Sequence, residues 1–506
     1  MYNVIKLNEK DNVAVAPMPI PAQTQVDSKV TSSDAIPFGH KIALSKIEKN
    51  SFIYKYGQII GIASKDILPG EHVHLHNLEF SDFERSFETK NNQSKVINDS
   101  HDVFFEGFKR KNGKSGTRNY IGLLSTVNCS ATVVKKIADA VNNNSKLKKY
   151  ANIDGAVCLK HSSGCGMNTS GYGMTIFNQT IEGFKQHPNF AKVFVIGLGC
   201  ECAQITLYQD KQQNDRVVYM NIQDEGGTKR IIENVSSQII EMLPYLNKEE
   251  RIKIPISELT VALQCGGSDA YSGITANPAL GHASDLIVKH GGSTILAETP
   301  EIYGAEHLLF ERARNAEIVK KLQKQIDWWK HYTSINEGSL DNNPSPGNKK
   351  GGLTTILEKS LGAVAKSGTS TMEDVLNYAE PIKKKGFNYM DSPGYDPVSV
   401  TGQVASGSNV ICFTTGRGSC FGFKPSPSIK IATNTNMFNK LEEDMDINAG
   451  TIMDGESDID AIGEKIFNLI ISTASGKLTK SEINGYRDNE FNPWVIGATM
   501  KVLFSK

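Results

Sequence analysis

NYIGLLSTVNCSATVVKKIADAVNN, residues 119–143, is an apolar strand pattern that turns directly into an amphipathic helix pattern. The apolar half recurs in DGAVCLKH (154–161) and KVFVIGLGC (192–200). Strands alternating with helices specify an α/β domain on a mostly parallel sheet. The helix and charged loop TKRIIENVSSQIIEMLPYLNKEERIKI closes this unit, and LTVALQCGG opens another. In that second run the strands STILAE, FNYMDS, VICFTTG and SIKIAT are separated by helices expected around residues 278–290, 302–333, 353–366 and 459–475.

Upstream the period changes. KIALSKI, FIYKYGQIIGIAS and EHVHLHNL alternate apolar and polar residues in short pieces, with turns such as Pro69-Gly70 between them. The expected fold is therefore multidomain. It has a small all-β module over residues 1–80 and a Ser-, Asn- and charge-rich linker over 81–103. A first α/β domain over 104–250 and a C-terminal, Rossmann-like α/β domain over 251–506 follow, both with mostly parallel sheets.

Fifty-five Lys and Arg balance 55 Asp and Glu, so no global field exists to hold nucleic acid or an anionic membrane. Without a leader pattern or a long apolar run, a cytoplasmic protein is expected. The eight cysteines are scattered through 506 residues, which favours thiols over a disulfide framework.

Four of them, Cys129, Cys165, Cys200 and Cys265, fall just beyond apolar strands, where α/β folds place their ligand sites. With His161 and Glu201 they make up the candidate metal ligands, thiolates being soft donors suited to iron or zinc. Cys158, Cys202 and Cys412 are read as structural. His72, His74 and His76 alternate, so on a strand all three imidazoles share one face, with His40 as a companion. The loops after the strands offer Gly266, Gly267, Ser268 and Asn348, with Lys349 and Arg417 as cations, for an oxyanion. Asp269, Glu298 and Glu301 are the adjoining carboxylates, Asp269 being the favoured base. Asp444, Asp446 and Asn448 read as a loop tether. No Walker or dinucleotide fingerprint follows a strand, so no nucleotide is expected.

GTRNYIGLLSTVNCSATV, GLGCE, LQCGGSDAYSGITANPALG, NPSPGNKKGGLTTILEKSLG and TTGRGS together resemble the altronate/galactarate dehydratase family across essentially the whole chain. FGHKIAL, YGQIIG and PGEHVHLHN are similar to the SAF, or β-clip, module of that family, and the His72-x-His74-x-His76 string is closest to its altronate-type members. The resemblance implies a homodimeric hydro-lyase that takes a sugar acid, D-altronate above all, to 2-dehydro-3-deoxy-D-gluconate. It also implies Fe2+ or Mn2+ as cofactor. An iron–sulfur cluster is the alternative cofactor, and galactarate or a sulfolactate-type substrate the alternative acid. The proton on C2 is weakly acidic, so its removal calls for a cation on the carboxylate before the C3 hydroxyl leaves. His40, His72, His74, His76, Lys349 and Asp269 are the expected catalytic residues. Lys349 and Arg417, with Gly266, Gly267, Ser268 and Asn348, are expected to bind substrate. The competing class is a sugar-acid sensor without catalysis.

Overall fold

In the computed structural model, residues 4–83, 103–210, 214–486 and 488–497 are described. The alternating N-terminal pieces become β1 (Val13–Val15), β2 (Lys41–Ala43), β3 (Phe52–Lys55), β4 (Gln58–Ala63), β5 (His72–Val73) and β6 (Leu78–Glu79). They pair antiparallel as two small sheets, β1-β2-β5 and β3-β4-β6. Most of the expected linker, residues 84–102, lies outside the described residues.

The chain resumes in β7 (Phe104–Lys109) and β8 (Ser115–Gly116), then enters β9 (Tyr120–Ser125), β10 (Gly155–Leu159), β11 (Phe190–Gly197) and β12 (Val217–Asn221). The last four form a parallel sheet in the order β10-β9-β11-β12. Helices Ala131–Asn142 and Thr228–Leu246 cover one face, burying Val134, Ile137, Val235 and Ile239. β13 (Ile252–Pro255) then returns to pair antiparallel with β7.

β14 (Thr260–Cys265), β15 (Ser293–Leu296), β16 (Met372–Leu376), β17 (Gly386–Met390), β18 (Val410–Thr415), β19 (Ser428–Ala432) and β20 (Ile447–Asn448) form a seven-stranded sheet in the order β16-β17-β15-β14-β18-β19-β20. Every pair in it is parallel. From β14 the chain builds to one side through β15, β16 and β17, then crosses back to lay β18, β19 and β20 on the other. The order reverses at β14, and the crevice beyond the carboxyl ends of the strands at such a reversal is where open α/β sheets take ligands.

The expected helix over 302–333 is two, Glu306–Phe310 and Ala316–Ile335. Asn315 breaks it by capping the second, its side chain accepting from the amides of Glu317 and Ile318. The helix Asp396–Ala405 had no sequence counterpart because its Val and Thr content reads as strand. It packs against the helix Tyr172–Lys185 so closely that a Cβ on Gly183 would lie 2.3 Å from the Ala405 carbonyl. Only glycine permits that approach between the two α/β domains.

Candidate active site

The N-terminal module is joined to the C-terminal domain through one buried carboxylate. Thr355 caps the helix Ile356–Val364, and the first turn of that helix directs Glu358 towards the module. Lys41 Nζ donates to Glu358 Oε2 and Lys55 Nζ to Oε1, both at 2.8 Å. All three side chains are essentially inaccessible to solvent. Burial opposes ionisation of Glu358, but the two ammonium groups outweigh it and hold the carboxyl well below the usual range. Lys41 also donates to the Gly352 carbonyl at 2.8 Å, which fixes the module beside the loop that carries Asn348 and Lys349.

One residue before Lys41, His40 meets two of the expected histidines. His40 Nδ1 lies 3.0 Å from His72 Nε2, and His40 Nε2 lies 3.3 Å from the Lys350 carbonyl. One ring nitrogen from each of His40, His72 and His74 falls within 4.8 Å of the others. The strand ends at Val73, so the three alternating histidines do not share a strand face as expected. Asn77 imposes the turn, accepting from the His74 amide and donating to the His72 carbonyl, both at 2.9 Å. His76 is thereby left exposed on the turn, and His40 takes the third place. Burial pushes His72 down to about 4 and His74 down to about 3, with neighbouring positive charge adding to both. At neutral pH both rings are uncharged, and His74 Nδ1 is buried with no hydrogen-bond partner. A neutral imidazole with an uncommitted nitrogen, as at His74, is a donor suited to a borderline divalent cation, and an ion there would take the place of the His40–His72 contact.

A second cluster occupies the reversal point of the large sheet. Cys265 is the last residue of β14, and Glu298 and Glu301 follow β15. Lys366 Nζ donates to Cys265 Sγ at 2.8 Å, and Sγ lies 3.8 Å from Glu301 Oε2. Lys359 Nζ donates to Glu301 Oε1 at 2.8 Å and to Asn343 Oδ1 at 2.6 Å. Burial pushes the Cys265 thiol up to about 11, so it is protonated at neutral pH. Asp396 adjoins this group, and a Cβ on Gly266 would lie 2.3 Å from its Oδ2.

Burial, and then the charge of Glu301, push Asp396 up to about 7. Between its ordinary value of 3.8 and about 7 the native state holds a proton that the unfolded chain has released, so this group's contribution to stability falls as pH rises. Asp396→Asn is expected to lessen that decline. Wild-type and variant unfolding midpoints should diverge between about pH 4 and 7, and parallel profiles would contradict the assignment.

Three family models match the chain in series. They are the altronate/galactarate dehydratase SAF domain over residues 2–81, the second domain of D-galactarate dehydratase/altronate hydrolase over 107–247, and the C-terminal domain of D-galactarate/altronate dehydratase over 256–499. Altronate dehydratase of Bacillus subtilis (strain 168) is 35% identical over 494 residues, covering 96% of this chain and 98% of that protein. The chain belongs to the altronate/galactarate dehydratase family. It is accordingly a carbon–oxygen lyase. Galactarate dehydratase (L-threo-forming) of Escherichia coli (strain K12) is 37% identical over 495 residues, 94% of this chain and 93% of that protein. The β subunit of (2R)-sulfolactate sulfo-lyase of Chromohalobacter salexigens is 30% identical over 387 residues, 76% of this chain and 96% of that subunit.

Other expected site residues of this dehydratase are dispersed. Cys129, Cys165 and Cys200 are exposed in the loops after β9, β10 and β11, on a different sheet from buried Cys265. His161 has both ring nitrogens engaged, Nε2 at 2.9 Å from the Ser125 carbonyl and Nδ1 accepting from the Ser163 amide. Glu201 ties its own loop, accepting from Thr126 Oγ1 and from the amides of Leu198 and Gly199. Asp269 is similarly committed, to Ser272, Thr433, Asn434 and the Tyr271 amide, and serves the loop rather than standing free as a base. Asn348 completes a capping box with Ser345 and donates to the Ser268 carbonyl at 2.8 Å. Arg417 is exposed, held over the glycine loop by its amide, which donates to the Gly267 carbonyl at 2.9 Å. Lys349 is half-buried, next in sequence to Lys350, whose carbonyl meets His40. No helix among the described residues is long and apolar enough to cross a membrane.

Lys359, Lys366, Glu358 and Asp396 were absent from the sequence expectations. The signal available was in LTTILEKSLGAVAK, where charges interrupt an otherwise apolar helix and therefore require buried partners.

Proposed function

We propose that this lyase is a D-altronate dehydratase, forming 2-dehydro-3-deoxy-D-gluconate, with one Fe2+ or Mn2+ held by His40, His72 and His74. The observation that carries the cofactor reading is the convergence of three neutral imidazoles, one with an unpartnered buried nitrogen, against the loop of the C-terminal domain. The ion would supply Lewis-acid stabilisation of the charge that builds on the carboxylate as the C2 proton leaves. Arg417 and Lys349 have no hydrogen-bonded or ion-paired side-chain partner among the described residues, and they flank the glycine loop Gly266-Gly267 and the histidine cluster. They bind the substrate carboxylate and orient C2 and C3 between the two clusters. His76, left out of the ion's site on the same turn, takes the C2 proton.

An iron–sulfur cluster is the second reading, favoured by Cys129, Cys165 and Cys200 following three neighbouring parallel strands. Purified protein incubated anaerobically with D-altronate should form keto acid, lose that activity to chelator and regain it with ferrous or manganous ion. Full activity in metal-free protein would overturn the cofactor assignment. Stoichiometric acid-labile sulfide would transfer it to the cysteines. Tight binding of the acid without turnover would return the chain to the sensor class, and turnover of galactarate alone would change the substrate.

A further inference from the structure

We propose that Glu298 is the general acid of the elimination, donating its proton to the C3 hydroxyl as the C3–O bond breaks; this rests on the dehydratase reading above and gives it a residue.

Beside Asp396, three further acidic groups meet at the end of β14, and two accept a hydrogen bond from a lysine: Cys265 from Lys366 and Glu301 from Lys359. Glu298 accepts none, although the same two lysines are near enough to act on its charge. Both its carboxylate oxygens are buried without a hydrogen-bond partner, and the residue is 1% exposed. Its backbone is also left-handed, at φ +78 and ψ 73, a conformation unfavourable for a non-glycine residue that persists only when the surroundings hold it. An unsatisfied buried carboxyl on a strained backbone weakens the fold twice at one position. Such costs concentrate where a side chain must be aimed at something absent from the free protein.

Lys366 and Lys359 already donate to Cys265 Sγ and Glu301 Oε1, atoms an ion would need as ligands, so proton chemistry fits the cluster better than coordination. Glu301 is ionised against Lys359, and a partnerless carboxyl beside it in a buried site keeps its proton. Burial, then the charge of Glu301, raise Glu298 well above the ordinary carboxylate range. The cover over the cluster is thin at two glycines. A side chain at Gly394 would press on Asn343 and Glu301, and one at Gly266 on Asp396. Gly394, against Glu301, is exposed, and so is Gly267, next to the Gly266 that abuts Asp396.

In the step itself the C2–H electron pair becomes the C2–C3 double bond, and the C2 proton passes to the imidazole base. The C3–O pair leaves with the hydroxyl, which takes the Glu298 proton and departs as water. The enol then ketonises, gaining a proton at C3 and releasing the one on O2, and the catalyst resets as the imidazolium releases the C2 proton to solvent and Glu298 takes one up. The balance is substrate to keto acid plus water.

The test compares the acid that the wild type turns over with its 3-chloro-3-deoxy analogue, whose chloride departs without needing a proton. In Glu298→Gln, kcat on the hydroxy acid should fall at least a hundredfold, while chloride release stays within a few-fold of wild type. Equal loss on both substrates, or undiminished dehydration, would overturn the role of Glu298. A wild type that turns over neither substrate would instead refute the dehydratase reading. Should the glutamine variant fail to fold, Glu298→Gly relieves the left-handed backbone and is expected to raise the unfolding midpoint with the same split between substrates. Equal loss on both substrates in folded Glu298→Gly overturns the proposal equally.

Discussion

Glu358→Gln should lower the unfolding free energy by about 3–5 kcal/mol, the scale for removing one partner of a buried ion pair, and should do so chiefly by releasing the N-terminal module. The carboxylate compensates two ammonium groups at once, each 2.8 Å away and neither reached by solvent. A glutamine keeps the bond from Thr354 but leaves Lys41 and Lys55 facing each other without a counter-charge. The lysines then give up protons more readily inside than in the unfolded chain. The variant's native state therefore holds fewer protons, and its stability should rise as pH is raised above neutrality. A triple variant separates charge from shape: Lys41→Met, Lys55→Met and Glu358→Leu together replace the network by apolar groups and should recover most of the loss. An unfolding free energy from denaturant titration of Glu358→Gln within about 1 kcal/mol of wild type would show that the joint carries little of the stability.

With the proposed ion held by His40, His72 and His74, His74→Ala should reduce kcat by on the order of a hundredfold and lower the metal content. The cluster has three donors, so losing one lowers both affinity and the positioning of what remains. Truncation leaves the fold intact, because His74 holds the module only through its backbone, which Asn77 and Leu78 engage. Metal content and kcat should fall together, and the unfolding midpoint in the absence of metal should stay near wild type. A retained kcat with a raised KM would mean that the module only captures substrate.

The β module and the parallel sheets were legible because each rests on a local period of two or of three to four residues. The helix Asp396–Ala405 was not, since β-branched residues were overridden by its packing against Tyr172–Lys185. At the candidate site, the residues the sequence singled out are ones marked by their immediate neighbours, the histidine string and Cys265 at its strand end; the structure gathers His72 and His74 with His40, and Cys265 with Glu298 and Glu301. The role of Glu358 depends on Lys41 and Lys55, some 300 residues away, and that of Lys366 depends on Cys265, 101 residues away. Neither separation leaves a periodic trace. Asp269 misled for the opposite reason. Its glycine loop resembles a ligand cradle, but the carboxylate is used to hold that loop closed against Thr433 and Asn434.

The joint at Glu358 also bears on chain continuity. Three buried charges, the Gly352 carbonyl and the His40–Lys350 contact hold the module without any help from the covalent backbone. Breaking the chain between residues 83 and 103 would therefore turn one polypeptide into two that still recognise each other, at the cost of a dependence on concentration. Covalent continuity replaces such mass action with an intramolecular encounter, which for linked modules can reach an effective concentration of about millimolar. For this chain, being fused rather than split is then a matter of dilution rather than of architecture.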